Sequence, residues 1–143
     1  MRQVCQTRFL IMVLPLQRKE FYHLDKLEIA MNLADKHCVP PQIGARPFSP
    51  AEADAMKAHI HPDWELGPGS ASLKRVFRFK NFKSAMALGV IVGDLAEQEN
   101  HHPDLLIAWG RLEVFITTHK IKGLSESDFI FAAKVDEAFS AGA

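Results

Sequence analysis

The strongest structural signal in this chain is the stretch Leu105-Leu106-Ile107-Ala108-Trp109-Gly110-Arg111-Leu112-Glu113-Val114-Phe115-Ile116-Thr117-Thr118. Two runs with strand character, Leu105–Trp109 and Arg111–Thr118, flank a turn at Gly110. In the second run, three apolar residues at alternate positions share one face: Leu112, Val114 and Ile116. We therefore predict a β-hairpin with one buried face.

Signals on either side of the hairpin predict three helices and two further strands. Capping patterns mark each helix start, and alternation of apolar with charged residues marks the longer strand. The predicted elements are a helix from the capping box Ser49-Pro50-Ala51-Glu52 to about Ile60, a short strand Trp64–Leu66, a strand Leu73–Lys80, a helix capped by Asn81, and a helix from Ser125-Glu126-Ser127-Asp128 to about Phe139.

The second helix carries apolar residues beyond a single stripe, so we predict that it is well buried. These residues are Phe82, Ala85, Met86, Leu88, Gly89, Ile91, Val92, Leu95 and Ala96. Six phenylalanines are predicted to be core residues: Phe77, Phe79, Phe82, Phe129, Phe131 and Phe139. Trp64 and Trp109 either flank a ligand or fill a sheet edge.

The element order α-β-β-α-β-β-α predicts an α+β fold, with helices on one face of an antiparallel sheet. The length of 143 residues and the 48% apolar content suit one compact core. We place the domain at residues 48–143. Residues 1–47 are interpreted as a largely irregular N-terminal extension, with a short helix predicted at Leu24–Ala34, because the stretch Val39–Pro47 is rich in helix and strand breakers.

Charge and cysteine content exclude several classes of function. Seventeen basic residues balance seventeen acidic ones, which leaves no basic face for nucleic acid. Cys5 and Cys38 are too few for a disulfide framework. No apolar run approaches the roughly 20 residues of a membrane span, and Phe9–Leu16 lacks the cleavage site of a signal peptide. We therefore expect a cytoplasmic protein without a membrane or nucleic-acid partner.

Three histidines are brought together by the predicted hairpin. If the turn is centred near Gly110, cross-strand partners have numbers that sum to about 220 or 221, so His119 faces His101 or His102. Asp128, in the first turn of the next helix, is close enough in sequence to approach His119. We place the chemistry of the protein here.

Two imidazoles flanking one substrate can divide a proton transfer between them, because their unperturbed pKa lies near 6.5. The chain offers no nucleophile in an obvious motif and no phosphate-binding loop. Two alternatives remain open at this point. The histidines are structural, or they bind zinc, although the neighbouring side chains of His101 and His102 diverge on an extended backbone.

The stretch Glu97-Gln98-Glu99-Asn100-His101-His102-Pro103 is similar to the E-x-x-x-H-H-P signature of the pterin-4a-carbinolamine dehydratases, which include 4a-hydroxytetrahydrobiopterin dehydratase. The remaining signature positions follow at the spacings of that family: Trp109, His119 and Asp128. The resemblance covers about residues 48–139, with a weaker echo in Leu33–Cys38. Pro40-Pro41 follow Cys38 where many relatives have a second cysteine, so a Cys-x-x-Cys pair is absent.

The resemblance implies a role for each residue of the cluster. His101 and His119 match the acid–base pair of the family. His102 matches the histidine that contacts and orients the pterin, and Asp128 matches the acidic residue that supports the cluster. Glu97 matches a carboxylate with a structural contact at the helix end. The implied reaction is dehydration of a 4a-hydroxytetrahydropterin to a quinonoid dihydropterin.

The resemblance also implies a four-stranded antiparallel sheet with three helices on one face, assembled as a homodimer or homotetramer. It implies no cofactor and no metal, and a metabolic partnership with aromatic amino-acid hydroxylases. Two alternatives stay open: a noncatalytic dimerisation or protein-binding module, and a molybdopterin-type carbinolamine as the substrate. Residues 1–30 match nothing in the family, and we expect Met31 to be the functional start.

Overall fold

A computed structural model describes residues 32–142. Within this range the chain forms three helices and four strands in the predicted order. Their bounds are α1 Pro50–Lys57, β1 Glu65–Leu66, β2 Leu73–Arg78, α2 Phe82–Glu99, β3 Asp104–Ala108, β4 Arg111–Ile116 and α3 Glu126–Ser140. Single-turn 3-10 helices occupy Leu33–Asp35, Pro68–Ser70 and His119–Ile121.

The predicted helix starts are confirmed by their capping contacts. The Glu52 backbone N–H donates to Ser49 Oγ, and the Glu52 carboxylate accepts from the Ser49 N–H. The Ser84 N–H donates to Asn81 Oδ1 over 2.8 Å. Each contact satisfies a backbone donor that the first helical turn leaves unpaired, which is why these residues begin helices. Helix α1 ends three residues earlier than predicted, at Lys57.

The four strands form one antiparallel sheet in the order β1-β2-β4-β3. The hairpin register differs from the prediction, because Leu105 pairs with Val114 and Ala108 pairs with Arg111, so partner numbers sum to 219. The turn is centred between Trp109 and Gly110, and Gly110 takes a φ of 74° that suits glycine. The prediction of 220 or 221 was therefore wrong.

The core lies between the sheet and the three helices, which confirms the predicted α+β class. Leu112, Val114 and Ile116 are fully buried on the predicted face of β4. Trp64 is a core residue, and its Nε1–H donates to Asp136 of α3. Other fully buried side chains of the core include Leu73, Leu88, Val92, Phe129, Phe131 and Val135.

The sequence did not predict a buried cation in this core. Arg75 lies on the helix-facing side of β2, between the buried residues Leu73 and Phe77. Its guanidinium forms an ion pair with Asp136 and lies 4.5 Å from the centre of the Phe77 ring. The partners that make its burial tolerable are thus a carboxylate and an aromatic face.

Helix α2 is less buried than predicted. Its inner face packs on the sheet, but an outer apolar stripe is exposed: Phe82, Met86, Val90 and Ile91. Phe82, which we predicted as a core residue, is one of these exposed side chains, and Trp109 is 75% exposed at the hairpin turn. No helix within residues 32–142 has the length and apolar character that crossing a membrane requires.

Residues 32–47 contact the domain through the 3-10 helix Leu33–Asp35, whose Leu33 side chain packs against the core, and through hydrogen bonds of the irregular backbone that follows. The Cys38 and Val39 backbones bond to side chains of α2 and α3, and Phe48 N–H donates to the Leu124 carbonyl. The boundary at residue 48 stays a prediction. The predictions for residues 1–30, for Met31 and for most of the helix at Leu24–Ala34 lie outside the described residues.

Candidate active site

A cleft of about 300 Å³ opens where α2, β4 and the N-terminal segment meet. It is lined by Pro40, Pro41, Asn100, His101, His102, Thr117, Thr118, His119 and Lys120. The structure therefore brings the three predicted histidines to one concave surface. Its volume lies at the lower end of the roughly 300–1,000 Å³ of small-molecule sites, which suits a ligand of one or two rings.

The ends of secondary-structure elements place the histidines. Asn100 ends α2 in the left-handed conformation, with a φ of 50°, so the chain turns and delivers His101 and His102 beside the sheet. His119 does not extend β4 as predicted. It begins a 3-10 turn after Thr118, whose N–H and carbonyl pair with Gly123. The histidines thus meet at loop positions and not through the strand ladder.

His101 is held by a buried carboxylate. Its Nε2–H donates to Asp128 Oδ1 over 3.0 Å, and the Asp128 side chain is fully buried whereas the His101 side chain is 13% exposed. A carboxylate at Nε2 fixes both the ring orientation and the tautomer, so Nδ1 is the nitrogen that can exchange a proton with a ligand. The structure joins Asp128 to His101, whereas the sequence predicted an approach to His119.

The second oxygen of Asp128 is fully engaged by the protein. Oδ2 accepts from Thr118 Oγ1 at 2.7 Å, from the Ser125 N–H at 2.7 Å and from Ser125 Oγ at 3.1 Å. Asp128 is also the third residue of α3, where its carboxylate forms the capping box with Ser125. One side chain therefore begins α3 and orients His101.

His102 and His119 are more accessible than His101. The His102 Nε2–H donates to Glu97 Oε1 over 2.8 Å, and the His102 side chain is 57% exposed. Glu97 makes this contact from the last turn of α2, as the sequence predicted for a helix-end carboxylate. His119 is exposed, and among residues 32–142 no side chain forms a hydrogen bond with it.

Two polar residues near the cleft were missed by the sequence analysis, Glu99 and Ser127. Glu99, at the end of α2, accepts from the Cys38 N–H at 2.9 Å and forms an ion pair with Lys134 at 3.1 Å. Ser127, next to Asp128, bonds to the Val39 backbone. The signal that points to Glu99 is its position: it continues the buried helical face of Val92 and Ala96, where a carboxylate requires partners.

The environment of Glu99 shifts two pKa values. Burial alone raises the pKa of Glu99, but the Cys38 N–H, the Lys134 ammonium and the His37 imidazole lower it to a net value below its ordinary 4.5. The pKa of the Cys38 thiol is raised to about 12, first by burial and then by the negative charge of Glu99. The thiol is therefore neutral at physiological pH and donates to the Ser127 carbonyl at 3.3 Å.

Metal-ligating side chains are not grouped in the part of the chain that the structure describes. Within residues 32–142, no three His, Cys, Asp or Glu side chains are arranged to hold an ion. His101 and His102 each bond to a different carboxylate, Asp128 and Glu97, as expected for diverging neighbours on an extended backbone. The absence of a cofactor stays a prediction.

The chain is similar to a set of known proteins over most of its described length. Residues 46–138 match the family described as Pterin 4 alpha carbinolamine dehydratase. A relative from Methylococcus capsulatus is 49% identical over 108 residues, which are 76% of this chain and 94% of that protein. A relative from Alkaliphilus metalliredigens is 47% identical over 106 residues, which are 74% of this chain and 95% of that protein. Both are provisionally named pterin-4-alpha-carbinolamine dehydratases.

A solved structure shares the fold. It is described as a transcriptional coactivator/pterin dehydratase from Brucella melitensis, and it matches with a TM-score of 0.60 at 26% identity, covering 64% of this chain and 97% of that one. The family match spans the capping boxes, the hairpin and all three histidines of the cleft. The resemblance seen in the sequence is therefore confirmed: this chain belongs to the pterin 4 alpha carbinolamine dehydratase family of enzymes.

Proposed function

We propose that this protein removes water from 4a-hydroxytetrahydrobiopterin by acid–base catalysis with His101 and His119. The observation that carries the proposal is that both imidazoles, together with His102, line one cleft of a size that suits a bicyclic ring. The family supports dehydration of a pterin carbinolamine as the reaction. The product would return to tetrahydrobiopterin, which makes an aromatic amino-acid hydroxylase the proposed metabolic partner.

The reaction needs two proton transfers and no net change in protonation. The C4a–O bond breaks and the hydroxyl leaves as water after accepting a proton from a protonated imidazole. The N5–H bond breaks as its proton passes to a neutral imidazole, and the freed electron pair forms the C4a=N5 double bond. An acid and a base near neutral pH are both required, and histidine supplies either form there.

The contacts of each histidine suggest how the work is divided. Asp128 fixes His101 through Nε2, so Nδ1 of a rigidly held ring is the atom proposed to face the reacting centre. His119 has no such support among residues 32–142, and its exposure leaves it free to exchange protons with solvent between turnovers. His102, held by Glu97, is proposed to bind and orient the pterin.

Alanine variants test this assignment. His101→Ala and His119→Ala should each slow carbinolamine dehydration by about 100-fold or more, the usual contribution of a positioned acid or base. His102→Ala should raise KM more than it lowers kcat. His59→Ala is the matched control, because His59 is exposed outside the cleft and should leave the rate unchanged. Parent rates in all three cleft variants would refute the proposal.

A chelation assay separates this mechanism from metal catalysis. Activity should survive exhaustive treatment with a chelator, because proton transfer between imidazoles and the pterin needs no ion. Activity that is lost to the chelator and restored by zinc would favour a metal centre instead. The identity of the substrate is tested separately, by measuring dehydration of a molybdopterin-type carbinolamine. A higher kcat/KM for that substrate would overturn the assignment of the tetrahydrobiopterin carbinolamine as the substrate.

We also propose that the protein assembles as a homodimer or homotetramer. The outer apolar stripe of α2 is exposed in the single chain, with Val90 at 56%, and β3 is an edge strand. Apolar stripes and open strand edges are normally covered in a stable protein. Val90→Glu should lower the mass seen by light scattering, whereas Lys83→Glu on the same helix should not. A parent that stays monomeric at high micromolar concentration would contradict the assembly.

The same exposed stripe favours a second candidate function, binding of another protein. The Brucella melitensis relative is described as both a coactivator and a dehydratase. If protein binding is the function of this chain, a His101→Ala/His119→Ala double variant should still restore the phenotype of cells that lack the protein. Loss of that restoration together with dehydration would assign the phenotype to catalysis.

A further inference from the structure

The described N-terminal segment reaches the cleft itself. Pro40 and Pro41 line the same surface as His101, His102 and His119. Neither proline belongs to a helix or strand, and both lie outside residues 46–138 that match the family. The cleft is therefore completed by residues from outside the matched domain.

Two anchors hold this segment, which we call the strap and define as His37–Pro41. Ser127 bonds to both backbone groups of Val39: Oγ accepts from the Val39 N–H at 2.9 Å and donates to the Val39 carbonyl at 2.9 Å. Glu99 accepts from the Cys38 N–H at 2.9 Å. The strap is thus fixed at consecutive residues on two different helices.

The anchors lie beside the residues assigned to catalysis. Glu99 is two residues before His101, and Ser127 directly precedes Asp128. Glu99 is 5% exposed in its side chain and is itself paired with Lys134, so the anchor is part of the packed interior. The position of the two prolines is therefore coupled to the same helix ends that hold His101 and Asp128.

Resting on the proposed function, we infer that the strap is a specificity wall of the substrate site, in which the Pro40 and Pro41 rings pack against the flat pterin bicycle. Proline suits this role because its φ is fixed and it has no N–H group to leave unpaired beneath the face of a bound ring. Pro40 is exposed, so a ring bound in the cleft would remove apolar surface from water. The wall contacts the ring system and not the substituent at C6.

The test compares Pro40→Ala/Pro41→Ala with the parent in the full chain. Loss of the two rings should raise KM, and the Kd for 7,8-dihydrobiopterin, about tenfold, while kcat stays within about twofold, since one to two buried methylene groups are lost from the contact. Pro62→Ala, an exposed proline outside the cleft, is the matched control. The Kd for 7,8-dihydropterin, which lacks a C6 substituent, should rise by the same factor.

Ser127→Ala gives a second, independent perturbation if the double variant does not fold. It releases the Val39 backbone and should raise KM in the same direction with both prolines intact. Parent KM and Kd in a folded proline variant, or a kcat loss without a KM change, would overturn the strap assignment while the dehydratase assignment stands. A parent chain that neither dehydrates the carbinolamine nor binds dihydrobiopterin would overturn the proposed function, and the strap inference with it.

Discussion

Replacing Asp128 with Asn changes the charge at the centre of the proposed site and nearly preserves its shape. In the parent, Oδ1 accepts from His101 Nε2 and Oδ2 accepts from Thr118 and Ser125. An Asn side chain can keep an oxygen toward Thr118 and Ser125, but it then presents an N–H group to His101. Nε2 must become the acceptor, and the imidazole proton moves to Nδ1.

The expected effects on rate and stability follow from these contacts. With Nδ1 protonated, His101 presents the wrong tautomer to the substrate, and kcat should fall about 100-fold or more. Three hydrogen bonds to Oδ2 lose their charge assistance in a fully buried site. Hydrogen bonds to charged groups are stronger by about 1 kcal/mol each, so the free energy of unfolding should fall by about 2–3 kcal/mol.

A double-mutant cycle shows whether Asp128 acts through His101. Carbinolamine dehydration is measured for the parent, D128N, H101A and the double variant, with denaturant unfolding measured in parallel. Because Asp128 acts on the tautomer of His101, D128N should cost less than about twofold in the H101A background. Ser125→Ala is the control: it removes one bond to Oδ2 without altering the charge, so it should destabilise α3 by about 1 kcal/mol with a small rate effect. Losses that multiply in the double variant, or a D128N enzyme at the parent rate, would refute the reasoning.

Three further predictions concern the strap and the start of the chain. Because the Cys38 pKa is raised to about 12, alkylation of Cys38 by iodoacetamide at pH 8 in a Cys5→Ser background should be about 50-fold slower than alkylation of an ordinary thiol, after allowing for the higher nucleophilicity of its thiolate. S127A should accelerate the alkylation, and a Cys38 that reacts at the ordinary rate would contradict the packed position of the strap. The pKa of Glu99 is lower in the folded protein than its ordinary 4.5, so its stabilising contribution is complete above pH 4.5 and is lost as the pH falls through the folded-state pKa. Glu99→Gln should therefore destabilise the protein at pH 7 but not in strong acid, as measured by urea unfolding. Removing residues 1–30 should leave the melting temperature and the dehydration rate nearly unchanged, whereas an insoluble or inactive protein beginning at Met31 would place those residues in the fold.

The sequence predicted the elements of the fold well because local signals, such as capping residues and turn residues, mark where the elements begin and end. Ser49, Asn81 and Ser125 begin helices through contacts within four residues, and such contacts can be read from the chain directly. The predicted hairpin register was wrong by one residue or more, because the glycine at position 110 does not reveal whether the turn is centred on that glycine or before it. A one-residue change inverts the face of every side chain, so register needs the tertiary core to settle it.

Features that depend on distant partners were missed. Arg75 is buried because Asp136, 61 residues away, accepts from its guanidinium. The strap depends on Ser127, which lies 88 residues beyond Val39. Neither pairing leaves a periodic trace in the sequence. The three histidines were predicted correctly to meet at one surface, but for a partly wrong reason, since His119 begins a 3-10 turn and does not extend a strand.

Structure and proposed chemistry share the same side chains at this site. Asp128 closes the capping box that begins α3, and the same carboxylate orients His101. Glu99 ends α2 and anchors the strap, two residues before His101. The start of a helix, where Asp128 lies, is a suitable place for such double use, because its unpaired backbone donors already require a fixed acceptor. Substitutions at Asp128 should therefore lower the rate and remove all four hydrogen bonds of the carboxylate, whereas substitutions at His101 should lower the rate but cost less stability, because they remove only the bond to Oδ1. That contrast distinguishes a residue that positions the catalytic group from the group itself.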